Sequence, residues 1–192
     1  MTTTNKFLER IKEHRVSKKD PKFSGILEQY LRLLEEDPSI ATLAHKRLYD
    51  QIVSYGITTL DETDPRCSKI FDGADVKVYD YFSSQFFGME RPLEKVMRFL
   101  RSAAMRGEES RQVLLLLGPV GAGKSALVEH IKGALENCSA PYVLEGCPIR
   151  EEPLHLIPRS LRDEFTATYG IPIEGDLCPV CRHRLINEYD GD

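Results

Sequence analysis

Residues Gly118 to Ser125 read G-P-V-G-A-G-K-S, a full match to the pattern G-x-x-x-x-G-K-[ST]. The chemistry such a string can do follows from its residue types. Gly118, Gly121 and Gly123 allow positive φ and let the backbone approach an anion with no Cβ in the way. Successive N–H groups then form a nest around a β-phosphate, and the helix expected from Lys124 adds its unsatisfied N–H groups and positive dipole end. Gly118, Pro119, Val120, Gly121, Ala122, Gly123, Lys124 and Ser125 are therefore the candidate nucleoside triphosphate site. Lys124 is expected on the β- and γ-phosphate oxygens, and Ser125 on Mg2+ through its hydroxyl. The plain alternative, a glycine-rich turn entering a surface helix, has no use for a Lys-Ser pair at that place.

A second group of residues could bind metal. Cys178-Pro-Val-Cys181 is a C-x-x-C knuckle, His183 follows two residues later, and Cys147 lies 31 residues upstream of Cys178. Zn2+ takes four soft or borderline ligands in a tetrahedron, and Cys147, Cys178 and Cys181 with His183 or His155 would supply them. A redox pair would open a helix behind a thioredoxin-type strand, a setting not evident here. A turn with two half-buried thiols is the third reading, and all three stay open. Among single residues, His155 reads as a satisfied core histidine and Glu151-Glu152 as an exposed acidic loop, with an indirect hold on Mg2+ as the alternative. Arg150, Arg159 and Arg162 read as a solvated face, or as contacts to a neighbouring subunit's nucleotide. Cys67 and Cys138 read as small hydrophobes.

Positioning these groups falls to a short series of elements. The apolar run Val113–Leu117 predicts a first core strand leading into the loop. Residues 126–138 predict a helix whose Leu127, Val128, Ile131 and Leu135 cover a sheet, with Tyr142-Val143-Leu144 as a second strand. Upstream, Leu93, Val96, Met97 and Leu100 share one helical face, and Arg106–Arg111 reads as a charged turn. Val76–Phe82 reads as a short strand or extended approach, and Asp61–Gly73 as a loop. Nearer the N-terminus, Ile26, Leu27, Tyr30, Leu31 and Leu34 form a helical stripe. Asp37-Pro38 signals a new helix start, continued by Ile40, Leu43, Ala44, Leu48, Ile52 and Val53 as far as Gly56. The expected organisation is a helical region at 1–60, a linker at 61–84 and a nucleotide-binding domain at 85–192. Its fold class is α/β: a P-loop parallel sheet flanked by helices, with an N-terminal helical extension that either packs on the core or docks a partner.

Composition narrows the setting. The chain has 192 residues, 41% apolar and 29% charged, with a net charge of −4. That balance gives no footprint for nucleic acid or anionic membrane. No stretch approaches the ~20 apolar residues of a membrane span, and the polar start M-T-T-T-N-K has no signal-peptide core. A cytoplasmic setting is expected, in which the five cysteines stay reduced rather than forming a disulfide framework.

Two resemblances add to this reading. Phe87-Gly88-Met89-Glu90, an amphipathic helix, then strand and phosphate loop resemble the opening of an AAA-type ATPase module. The likeness implies that Phe86, Phe87, Gly88 and Met89 lie near the adenine, with a plain core position as the other reading of either Phe. The strings G-C-P-x-x-E-x-P-L-H-L-I-P at Gly146–Pro158, Y-G-I-P-I-E-G-D-L-C-P-V-C at Tyr169–Cys181 and A-H-x-R-L-Y at Ala44–Tyr49 closely resemble the PrkA family, usually named bacterial serine protein kinases. That resemblance covers nearly the whole chain. It implies an AAA-like part that binds Mg-ATP, a kinase-like region elsewhere in a much longer protein, and phosphoryl transfer to serine or threonine of a protein substrate. Ring assembly, the AAA habit, implies a homo-oligomer. After Lys124 no four-residue apolar run ends in Asp or Glu, and H-R-D and D-F-G are absent, so no catalytic residue is assigned and the core is expected to be incomplete. An ATPase that remodels a partner protein, and a nucleotide-gated interaction module, remain the alternatives.

Overall fold

The computed structural model describes residues 9–10, 23–60, 64 and 76–191. Cys67 and nearly all of the expected 61–73 loop lie outside them. In chain order the helices and strands are α1 (Leu27–Glu36), α2 (Ala44–Val53), β1 (Ile57–Leu60), β2 (Val76–Tyr79), α3 (Asp80–Ser83), α4 (Glu90–Ala104), α5 (Lys124–Glu136), α6 (Arg162–Tyr169) and α7 (Pro179–Glu188). The described residues fall into two compact units. One runs Ser39–Tyr142, and the other joins the residues up to Pro38 with those from Val143 onward.

In the first unit, α4 buries Leu93, Val96, Met97, Leu100 and Ala103, positions three and four apart that form one apolar stripe. Leu48 and Ile52 of α2 and Leu127 and Ala134 of α5 share that core with Tyr79, Phe82 and Phe86. α2, which falls in the expected helical region at 1–60, packs in the unit carrying the phosphate loop, where its apolar face is buried. The helix expected from Pro38 is also split. Pro38–Ala41 is a 3-10 turn and α2 starts only at Ala44. Arg47 explains the break, since its guanidinium donates to the carbonyls of Thr42 (2.8 Å) and Ile40 (2.5 Å), and also to Ser139 O at 3.1 Å. Carbonyls held by a guanidinium are directed away from a helical ladder, and the same side chain ties the start of α2 to the end of α5.

β1 and β2 pair antiparallel in the register Ile57↔Tyr79 to Leu60↔Val76, the only sheet among the described residues. The parallel sheet expected from Val113–Leu117 and Tyr142–Leu144 is not formed. Val113–Leu117 is in neither helix nor strand, with Val113 91% and Leu117 84% exposed. A parallel strand needs neighbours to take up its N–H and C=O groups, and among the described residues none lies there. Only Leu116 packs against the core. Consistently, α5 turns Leu127 and Ala134 inward and leaves the expected sheet-facing Val128 and Leu135 exposed.

In the second unit, Tyr30 and Leu34 of α1 are buried, as are Leu154, Ile157 and Phe165. Tyr169 on α6 donates to Glu35 at 3.0 Å. α6 ends on Gly170 in the left-handed conformation at φ 68°, the usual way of satisfying the last carbonyls. α7 opens with Cys178 as N-cap and Pro179 at its first position, where a missing N–H costs nothing. No helix among the described residues is long and apolar enough to cross a membrane.

Candidate functional site

The phosphate-loop residues sit on the exposed side of the first unit. Gly121 and Gly123 have φ of 82° and 75°, and Gly123 is the N-cap of α5. A left-handed N-cap reverses the chain so that the first N–H groups of α5 open towards the loop, which is why glycine is needed there. Lys124 Nζ folds back onto the carbonyls of Gly118 (2.8 Å) and Pro119 (2.6 Å). The ammonium thus lies inside the loop on exchangeable partners, and Ser125 is exposed one residue further on.

The segment expected near the base lies against this loop. A Cβ on Gly123 would meet Met89 Sδ at 3.8 Å. Phe86 is buried edge-to-face on Phe82 at 6.1 Å and near His130 at 5.5 Å, so it is a core residue. Phe87 is 80% exposed, and Gly88 follows at φ 70°. Together with Tyr79, Lys77 and Glu90 they line a cleft of about 300 Å3. Behind it, Tyr81 donates to His130 O at 2.7 Å while His130 Nε2 lies 3.0 Å from Tyr81 O. This reciprocal pair fixes α5 on the α3 turn.

The cysteines gather in the second unit. Cys147, Cys178 and Cys181 are buried together with Glu151, and one donor atom from each of the four lies within 4.8 Å of every other. The gathering is a product of turns. Gly146 and Arg150 take φ of 69° and 53°, so the chain folds back and Leu144 N donates to Glu151 O at 2.8 Å. Glu151 N then points at Cys147 Sγ (3.4 Å), and the Cys178 N–H donates to Glu151 Oε1 at 2.8 Å. The positive φ favours glycine at 146, and a Cβ there would also displace Arg184 Nη1, 2.8 Å away, from its bond to Glu145 O.

This differs from the expected donor set. His183 is exposed and outside the cluster, because two residues along α7 carry it about 200° around the axis from Cys181. His155 is not a donor either. Its Nδ1 lies 3.0 Å from Glu151 Oε1 and its Nε2 2.8 Å from Glu174 O, so both ring nitrogens are engaged. Glu151, read from sequence as part of an exposed acidic loop, is instead 5% exposed. Burial pushes its carboxyl up, but the hydrogen bonds from His155 and Cys178 outweigh it and hold the group below the ordinary carboxylate value. Burial likewise pushes Cys147 up, yet the Glu151 and Ile149 N–H groups bring it below the usual thiol range. Burial raises Cys181, and its neighbouring thiols add to that. Within G-C-P-I-R-E, the turns at Gly146 and Arg150 bring position 151 back beside position 147, four residues earlier, and only Gly146 of the two is a turn signal in the sequence.

Two of the three arginines considered for phosphate contact are engaged within the second unit. Arg159 pairs with Asp176, and Arg162 donates to Ile157 O at 3.1 Å and Gly175 O at 2.6 Å. Arg150 is exposed. Cys138 is half-buried, with its thiol raised by burial.

Comparison with known proteins gives a family and several relatives. The family profile described as the PrkA AAA domain matches residues 25–192. The chain is 38% identical over 190 residues to "ATP-dependent protease PrkA" of Bacillus subtilis, covering 96% of this chain and 28% of that protein. It is 32% identical over 183 residues to "Serine/threonine kinase YeaG" of Escherichia coli, covering 91% and 27%. Over 64 residues, 33% of this chain and 24% of the relative, it is 38% identical to "Phosphonates import ATP-binding protein PhnC" of Hydrogenovibrio crunogenus. The chain thus spans a little over a quarter of the first two relatives. No solved structure matches it.

Proposed function

The chain belongs to the PrkA AAA domain family, and on that premise we propose that its Gly118–Ser125 loop binds Mg-ATP for an enzyme that acts on proteins. The observation that carries this reading is the loop itself: two glycines at positive φ, a helix opening behind them, and Lys124 held on the carbonyls of Gly118 and Pro119. Lys124 would exchange those carbonyls for β- and γ-phosphate oxygens, and the loop N–H groups would take the β-phosphate. Ser125, exposed at the first turn of α5, offers the hydroxyl oxygen that a hard cation such as Mg2+ accepts. Phe87, exposed beside the cleft, would stack on adenine, with Gly88 and Met89 at its edge.

In the finer reading, the γ-phosphoryl group passes from ATP to a serine or threonine hydroxyl of a protein substrate, leaving ADP and releasing the hydroxyl proton. The name of the Escherichia coli relative, a serine/threonine kinase, supports it. A second reading has water as acceptor, with hydrolysis driving work on a polypeptide. The Bacillus subtilis relative's name, an ATP-dependent protease, favours that one. Assembly of like subunits and a cytoplasmic setting belong to the same proposal.

Calorimetric titration of Mg-ATP into wild type and Lys124→Ala tests the shared step. Losing a charged phosphate contact should weaken binding by ~1.5–3 kcal/mol, roughly ten- to a hundredfold. Equal affinities would remove Lys124 from the site. Label from γ-phosphate appearing on protein favours transfer, and free labelled phosphate alone favours hydrolysis.

A further inference from the structure

We propose that Cys147, Cys178, Cys181 and Glu151 form a closed, four-coordinate site for a single thiophilic divalent cation, Zn2+ foremost. The site has three thiolates and one carboxylate, and His155 holds the carboxylate in place. It lies in the second unit and owes nothing to the nucleotide reading.

Distance is the first ground. Cys147 Sγ and Cys178 Sγ stand 3.9 Å apart, far beyond the ~2.05 Å of a disulfide. Around a tetrahedral zinc with Zn–S near 2.3 Å, adjacent sulfurs stand about 3.8 Å apart, and a sulfur and a carboxylate oxygen about 3.6 Å. Cys147 Sγ to Glu151 Oε2 is 3.9 Å. These two edges are close to those of such a tetrahedron, and all four donor atoms lie within 4.8 Å of one another.

The second ground is how the remaining valences are spent. The Cys178 N–H reaches both Glu151 oxygens, Oε1 at 2.8 Å and Oε2 at 3.1 Å, and the His155 ring lies 3.0 Å from Oε1, so the oxygen not held by His155, Oε2, is the one that faces Cys147 Sγ. Carboxylates that ligate a metal are themselves commonly hydrogen-bonded by outer groups that fix their orientation, the part His155 plays for Glu151 here. Cys178 Sγ receives the Cys181 N–H at 3.3 Å and Cys147 Sγ the Glu151 N–H at 3.4 Å. Such bonds offset the surplus negative charge that three thiolates and a carboxylate leave around a dication.

The third ground is the cost of the arrangement without a cation. The Glu151 side chain is 2% exposed and lies among sulfurs rather than beside a lysine or arginine. The His155 ring and the Cys178 N–H meet the charge of this carboxylate, whereas three thiols packed against it can ionise together only if a cation joins them. All four donors are buried, and a site with no open position is structural rather than catalytic. On binding, three thiol protons leave and four metal–ligand bonds form, with no change of oxidation state.

Two measurements on the purified full chain test this. After growth with added zinc, elemental analysis should find one zinc per chain. Titration of the metal-free, reduced chain with Co2+ alone should give the sulfur-to-cobalt bands of a tetrahedral thiolate site. His155→Ala should weaken binding about ten- to a hundredfold, Glu151→Gln should shift the visible Co2+ bands, and His183→Ala should change neither. The Co2+ titration needs no variant, so a misfolded mutant does not blunt the test. Absence of thiolate bands would overturn the proposal. So would a loss of metal in His183→Ala equal to that in Glu151→Gln, or a Cys178–Cys181 disulfide formed by mild oxidant in a chain that retains no metal.

Discussion

The phosphate loop and the cysteine cluster are opposite solutions to placing reactive groups. In Gly118–Ser125 the eight residues are contiguous, and the local backbone supplies nearly all of the geometry through Gly121, Gly123 and the start of α5. The run Val113–Leu117 leading into it is exposed along most of its length. In the cluster, four donors from positions 147 to 181 are brought together by turns and a helix cap, and every one is buried. A local motif survives with little support behind it, whereas a dispersed one exists only if its surroundings are formed.

Metal removal should separate the two regions most sharply. Chelation under reducing conditions is expected to raise hydrogen exchange at the Leu144, Glu151, Cys178 and Cys181 amides by orders of magnitude. Structural zinc contributes on the order of 10 kcal/mol of folding energy in small domains. Mg-ATP affinity should change far less. Equal losses of both would show that the regions are not independent.

Gly123→Ala probes the loop from the other side. The residue sits at φ 75°, and an added Cβ would find Met89 Sδ at an ordinary 3.8 Å. Its cost is therefore backbone strain alone, about 1–2 kcal/mol, and thermal unfolding should report it. A larger loss would mean that Met89 cannot give way, and a smaller one that the loop relaxes.

The same contrast explains what was legible in the sequence. The face of α4 could be read from Leu93, Val96, Met97 and Leu100 because helical spacing is a local property, and all four are buried. The phosphate loop was legible because its residue types are its geometry. Val113–Leu117 misled because an apolar run says that a strand can form, not that neighbours are present to pair with it. β1 was missed for the converse reason: Ile57-Thr-Thr-Leu60 is short and pairs with β2 in a register fixed by tertiary contact. At the cluster, Cys147, Cys178 and Cys181 are legible by residue type, but the fourth ligand reads as His183 or His155, while Glu151 reads as part of an exposed acidic loop. The turns at Gly146 and Arg150, and the rotation of α7, made the opposite choice.

The smallest expected effect is the most diagnostic of the loop region. Leu117 immediately precedes Gly118 and is 84% exposed, so Leu117→Ser removes almost no buried surface. If Val113–Leu117 is unpartnered in solution, the substitution should change stability by less than about 0.5 kcal/mol, as for other surface positions. In the same sample the amides of that run should exchange rapidly, since no strand takes up their N–H groups. A loss of about 2 kcal/mol or more would instead be the signature of a buried leucine. Slow exchange across residues 113–117 would carry the same meaning. Either result would show the run sheltered by a second copy of the chain or by rearrangement, and the phosphate loop would then depend on distant contacts as the cysteine cluster does.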